Sequence, residues 1–276
     1  QEEIERTEKM VDILRKRATI LVNPVIGSSV NAKQTQLDRL RARQIKAPFV
    51  ELREPEIELP AIEVETGQPV LSITDYHVSF DENLLEHINF QLLAGEKVAI
   101  VGANGTGKTT LMRDILKENH PSIHIRENTS YGCLSQLQGE NIDETKTVYQ
   151  VMENLGFETR ESIHEYLGSY CLEGDTLKQK VSQLSGGEKN LLQIAMIAHT
   201  NAELLILDEP TSHLDIYAQM ALEKAIFDYK GAVLMVSHDF YLVANCADYV
   251  LLIEDNTIRR MRTRSFRKMV YDKYFD

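Results

Sequence analysis

The stretch that most constrains this chain is Gly102-Ala-Asn-Gly-Thr-Gly-Lys-Thr109, set between an apolar run at 98–101 (VAIV) and a helical pattern at 109–116 (TTLMRDIL). Glycines at this spacing let consecutive backbone N–H groups close round phosphate oxygens, and a helix starting there turns its positive end to the same point. Lys108 is placed to reach the outer phosphates and Thr109 to hold Mg²⁺ through its hydroxyl. A chance glycine-rich turn would need neither the strand before nor the helix after. Other short apolar runs, LLILD at 204–208 and VLMVS at 233–237, read as strands buried on both faces of a largely parallel sheet with helices between them. The expected class is α/β.

The run at 204–208 ends in two carboxylates, Asp208 and Glu209. A solvated strand end would account for two acids, but not for their pairing with a phosphate loop, and an unpaired buried charge is costly. Successive side chains at a strand end point in different directions, so Asp208 is assigned to the magnesium shell and Glu209 to the attacking water as general base. Leu184-Ser-Gly-Gly-Glu188 precedes a helical pattern with Leu191, Leu192, Ile194, Ala195 and Ala198 on one side, and Ser185 is placed to cap that helix.

LSGG-E between a phosphate loop and a strand ending in DE resembles the signature of the ATP-binding cassette (ABC) ATPases. Other parts resemble that family in the same order: Phe80 in YHVSF, Gln136 in YGCLSQ, Asp215 in DEPTSHLD and His238 in LMVSHD. The resemblance implies a P-loop cassette with a mixed, largely parallel core sheet and a helical subdomain. It assigns ATP to Gly102, Asn104, Gly105, Thr106, Gly107, Lys108, Thr109 and Thr110, with Phe80 against adenine, although a core Phe is an equal reading there. It assigns Mg²⁺ to Thr109, Gln136 and Asp208, catalysis to Glu209, Gln136 and His238, and the crossing of a cassette interface to Asp215. It further implies that Ser185, Gly186, Gly187 and Glu188 act in trans, on ATP held by a second cassette, so that hydrolysis needs a pair.

The segment ahead of the cassette differs in character. Ile4, Thr7, Val11, Leu14 and Ala18 recur at three- and four-residue steps, and residues 32–46 repeat the pattern. These are read as the arms of an antiparallel helical hairpin at 1–47, with its tip at about 19–31, where Pro24 and Gly27 interrupt the helix. Pro48, Pro55, Pro60 and Pro69 punctuate a Glu-rich connector at 48–69, and the cassette is expected over 70–276. Although the net charge of the chain is −12, residues 13–47 carry eight cations (Arg15, Lys16, Arg17, Lys33, Arg39, Arg41, Arg43, Lys46) against one anion, Asp38. A second basic cluster, Arg259 to Lys268, lies near the C-terminus.

This basic hairpin fused to a cassette resembles the interdomain linker of the ABC-F subfamily, proteins with two cassettes on one chain. LSGGEK, DEPTSHLD and the tail SFRKMVYDKYF resemble ABC-F forms as well. The resemblance implies a partner cassette, expected N-terminal on a longer chain, no membrane subunit, and binding to the ribosome near the tRNA exit site. The hairpin would then point toward the peptidyl-transferase centre, with Arg15, Lys16, Arg17, Lys33 and Arg39 at rRNA or peptidyl tRNA phosphates. At the tip the sequence departs from basic linkers and runs apolar, TILVNPVIGSSV, exposing Ile20, Leu21, Val22, Val25 and Ile26. Lengthened loops there are similar to those of ABC-F members that protect ribosomes from antibiotics. The competing reading is the nucleotide-binding subunit of a membrane transporter, with the hairpin as a docking coiled coil. No run approaches the ~20 apolar residues of a membrane helix, and no signal-peptide pattern opens the chain. Cys133, Cys171 and Cys246, unpaired in spacing, read as reduced residues of a cytoplasmic protein.

Overall fold

The strands at the centre of the larger sheet form because their sequences are apolar on both faces, whereas its edge strand Thr257–Arg262 is polar and exposed. In the computed structural model the described residues are 7, 9–13, 33–35, 54–62, 65–79, 83–117, 120–134 and 142–275. Phe80, Gln136, the apolar tip and the cations of 13–47 other than Lys33 lie outside them. The strands of the large sheet are β3 (Lys97–Gly102), β5 (Tyr131–Leu134), β6 (Leu204–Asp208), β7 (Ala232–Val236), β8 (Tyr249–Glu254) and β9 (Thr257–Arg262), in the order β5-β6-β7-β3-β8-β9. All neighbours pair in parallel except β8 and β9, which pair antiparallel. The expected mixed, largely parallel sheet is therefore present. Every residue of β6 and β7 is buried. Ile100, Ile206, Leu234 and Leu251 meet in one apolar cluster, each worth about 1.5–3 kcal/mol when removed from water.

A second sheet was not foreseen. It consists of β1 (Pro69–Ser79), β2 (Asn83–Leu93) and β4 (Ile123–Ile125), antiparallel in the order β2-β1-β4. The pairing of β1 with β2 shifts register between Ile73 and Tyr76 and again beyond it. These irregularities break the alternation of buried and exposed side chains by which a strand is read from sequence. Leu71, Ile73 and Tyr76 are buried nonetheless, and the Tyr76 hydroxyl donates to Asp114 Oδ2 at 2.9 Å.

The helices that follow the strands are α1 (Lys108–Lys117), α2 (Val148–Asn154), α3 (Arg160–Gly168), α4 (Gly186–His199), α5 (Ile216–Asp228), α6 (Phe240–Cys246) and α7 (Thr263–Phe275). Side chains mark their starts. Thr147, Thr159, Ser185, Asp215 and Asp239 each accept hydrogen bonds from the first free backbone N–H groups of the helix behind them. None of Cys133, Cys171 and Cys246 is in a disulfide. Contacts divide the chain into two units, Glu54–Thr263 and a second made of Gln1–Arg53 with Arg264–Asp276. Within the second, residues 7, 9–13 and 33–35 are helical; Thr7 and Val11, two of the expected seam positions, are buried while Lys9 and Asp12 are exposed.

Candidate functional site

Three parallel strands deliver the motif residues to one edge. β7 lies between β6 and β3, and its Val236 pairs with both Asp208 and Ile100. The chain therefore leaves the sheet side by side into the phosphate loop, into Glu209 and into His238. Between them opens a cleft of about 650 Å³, lined by Asn104, Gly105, Gly107, Lys108, Thr109, Thr110, Asp208, Glu209 and His238, together with Leu84, Ser212 and Val236. A crevice at the carboxyl ends of parallel strands is where open α/β sheets bind ligands.

The loop takes its shape from Gly105 (φ +82°) and Gly107 (φ +90°), which occupy the left-handed region that side chains resist. Thr106 turns its hydroxyl inward to donate to Ala103 O at 3.0 Å. Lys108 is buried, and its Nζ donates to Gly102 O at 2.9 Å and Ala103 O at 2.7 Å. The lysine thus closes the loop on itself. Burial lowers its pKa, while Glu209 and Asp208 pull it back up. Gly102 does not line the cleft; it contributes the carbonyl that anchors the lysine.

Asp208 is 4% exposed, and its Oδ1 is buried with no hydrogen-bond donor. Burial raises its pKa to about 6, the charge of Glu209 adds to this, and Lys108 and His238 oppose it. A carboxylate oxygen kept from water without a donor is a hard ligand for a divalent cation, and Thr109 lines the same cleft. These residues fit Mg²⁺.

Glu209 sits at φ +50°, a conformation that costs a non-glycine residue about 1–3 kcal/mol and has to be held by its surroundings. Its N–H donates to Val236 O at 2.8 Å, and its Oε2 accepts the His238 backbone N–H at 3.2 Å. Oε1 is buried without a hydrogen-bond partner, 3.5 Å from His238 Nε2. One oxygen is fastened and the other is left open, the arrangement a base requires. His238 itself is half exposed at the mouth.

Ser185, Gly186, Gly187, Glu188 and Asp215 do not line this cleft. Ser185 caps α4 as expected, and does so reciprocally: its hydroxyl accepts the Glu188 N–H at 3.3 Å and Glu188 Oε2 accepts the Ser185 N–H at 2.8 Å. Asp215 caps α5 through Oδ1, at 3.0 Å from Tyr217 N and 2.9 Å from Ala218 N. Leu84, Ser212 and Val236 line the cleft but were not assigned in the sequence. Leu84 is distant in the chain. Ser212 lies within a motif that was read for its acids.

Known proteins supply the comparison. The pattern defining the ABC transporter family matches residues 85–212. An ABC transporter F family member 2 from Arabidopsis thaliana is 33% identical over 92% of this chain and 37% of its own length. A probable ATP-binding protein YheS from Haemophilus influenzae is 29% identical over 95% of this chain and 41% of its own. A putative ATP-binding protein YdiF from Bacillus subtilis is 36% identical over 70% and 31%. The chain thus spans 31% to 41% of the length of these relatives. Among solved structures, the ATP-binding subunit of an ABC transporter superposes with a TM-score of 0.61 at 20% identity, over 73% of this chain and 93% of that one. A dimeric, post-hydrolysis ATP-binding cassette bound to ADP and phosphate gives 0.57 at 22%, over 70% and 99%. At such identities these two bear on the fold alone.

Proposed function

The chain carries an ATP-binding cassette of the ABC-F kind, and on that premise we propose that it hydrolyses ATP between paired cassettes and spends the cycle on the ribosome. The observation that supports hydrolysis is the presence, in one cleft beside Lys108, of two carboxylate oxygens that lack a donor, Asp208 Oδ1 and Glu209 Oε1. The loop 103–107 and Lys108 receive the phosphates. Asp208 and Thr109 would hold Mg²⁺, which would supply positive charge against the outer phosphates. Glu209 Oε1 takes a proton from the water that attacks the terminal phosphate, and His238, tied to Glu209 through its backbone, keeps that carboxylate aimed. Ser185 and Gly187 stand clear of the chain's own cleft at the N-terminus of α4, a placement suited to ATP held by a second cassette.

For the ribosome, support comes from the reach of the likeness. The YheS match takes in 95% of the chain, so it runs on into the basic segment 13–47, where eight cations offer phosphate contacts of a sequence-independent kind. Among the described residues no helix is long and apolar enough to cross a membrane. The proposed setting is cytoplasmic, with rRNA and peptidyl tRNA as the surfaces met by the segment 1–47. Full-length protein carrying Glu209→Gln is expected to pellet with ribosomes in ATP and to come off as salt is raised. Absence from the ribosome pellet with recovery in membranes would establish the transporter reading instead.

The narrower form of this proposal is ribosome protection against antibiotics of the peptidyl-transferase centre, carried by the apolar tip at 20–30. Cells expressing the protein are expected to outgrow controls on lincosamides, pleuromutilins or streptogramins, and to lose the advantage when that tip is exchanged for a short basic turn. Equal growth of both would remove the tip from the mechanism.

A further inference from the structure

Asn190 is 5% exposed on α4, one turn beyond the Ser185 cap, and with Gln193 is one of two polar residues buried on that helix. Its Nδ2 donates to Pro210 O at 3.1 Å and to Ser212 O at 2.7 Å. The amide orientation follows from chemistry, since the opposite one would set its oxygen against two carbonyls. Its Oδ1 is buried with no hydrogen-bond partner. A buried amide that leaves one atom unpaired in order to serve two carbonyls is spent on position rather than on packing.

Both carbonyls belong to the loop that runs from Glu209 to Asp215. From the other side Gln219 of α5 donates its Nε2 to Leu214 O at 3.0 Å and Thr211 O at 3.4 Å. Within the loop the Ser212 N–H donates to Glu209 O at 3.0 Å, so the turn begins on the base itself. The loop also lies against the signature: a Cβ added to Gly187 would come 2.9 Å from His213 O, and one added to Gly186 3.0 Å from His213 Cγ. Glycine at 187 is therefore demanded within this chain by a backbone carbonyl that cannot yield.

We propose that Asn190 is a positioning residue that fastens the 209–215 loop to the signature end of α4, so that the base Glu209, the signature Ser185 to Gly187 and Asp215 are held as one body. This inference rests on the reading that the cleft hydrolyses ATP. It differs from that reading in assigning a role to a residue that touches neither nucleotide nor metal. Loss of the tether leaves the phosphate loop and Lys108 in place, and misplaces the base.

The test is Asn190→Asp in the full-length protein, which keeps the shape and replaces the donor by a carboxylate facing two carbonyls. Asn190→Leu removes the donor without adding charge, and melting temperature reports folding for both. Expected for each is a fall in kcat on the order of 10- to 100-fold with KM for ATP within about 2-fold. Amide hydrogen exchange should quicken across 209–215 and stay as it was across 102–109. Wild-type kcat with wild-type exchange in the leucine variant would overturn the proposal. So would a proportionate loss of ATP binding and melting temperature in both variants, since that is the mark of packing alone. Should the wild-type protein turn over no ATP, the hydrolysis reading fails, and exchange across 209–215 still decides whether the tether exists.

Discussion

Glu209→Gln is expected to lower ATP turnover by on the order of 100- to 10,000-fold while ATP binding persists. Glutamine has nearly the same shape, and its amide oxygen can still accept the His238 N–H that now reaches Oε2. The backbone at φ +50° is held by its bond to Val236 O and by the turn to Ser212, neither of which involves the side chain. What disappears is the open oxygen that accepts a proton. The sign of the electrostatic change supports retained binding: Glu209 is one of the charges that push Asp208 upward, so its removal lets Asp208 ionise more readily and hold Mg²⁺ at least as well. Phosphate release and binding of a fluorescent ATP analogue, measured on the same preparation, check the two halves. Undiminished turnover would assign the proton to another group.

Lys108→Ala is expected to act on binding instead, weakening ATP affinity by on the order of 100-fold or more. The lysine is a buried cation whose charge acts on Asp208 and Glu209, so its removal leaves both carboxylates less compensated in a cleft that must receive a polyanion. Asp208, already raised to about 6, loses the strongest influence that lowers it, and so becomes a poorer ligand for a cation. The carbonyls of Gly102 and Ala103 lose their donor in the same step, which loosens the loop. Lys108→Met keeps the side-chain volume and separates the loss of charge from the loss of packing. Calorimetric titration with Mg-ATP, beside a melting curve, reads both, and wild-type affinity in the methionine variant would count against the assigned role.

Much of this site could be read from the chain because its chemistry is contiguous. A phosphate cradle needs successive N–H groups and a lysine on the following turn, and all of these fall between Gly102 and Thr109. The capping of α4 by Ser185 is legible for the same reason, since cap and partner stand three residues apart. The hairpin β1-β2 was missed because register shifts spoil the period of two. The meeting of base and lysine was expected from the order of motifs, but order along a chain says nothing about which strands are neighbours.

Local sequence thus determined which groups are present: a phosphate loop, an acidic strand end, a capped signature helix and a basic segment ahead of them. Tertiary structure decided what they face. Placing β7 between β6 and β3 set Glu209 against Val236 and His238, and brought Asp208 to the cleft of Lys108. It also turned the amide of Asn190, a polar residue buried on α4, onto two carbonyls 20 and 22 positions along the chain. The physical reason is that a side chain's local pattern is fixed by backbone periodicity, whereas its partners depend on long-range strand pairing and on the desolvation that pairing imposes.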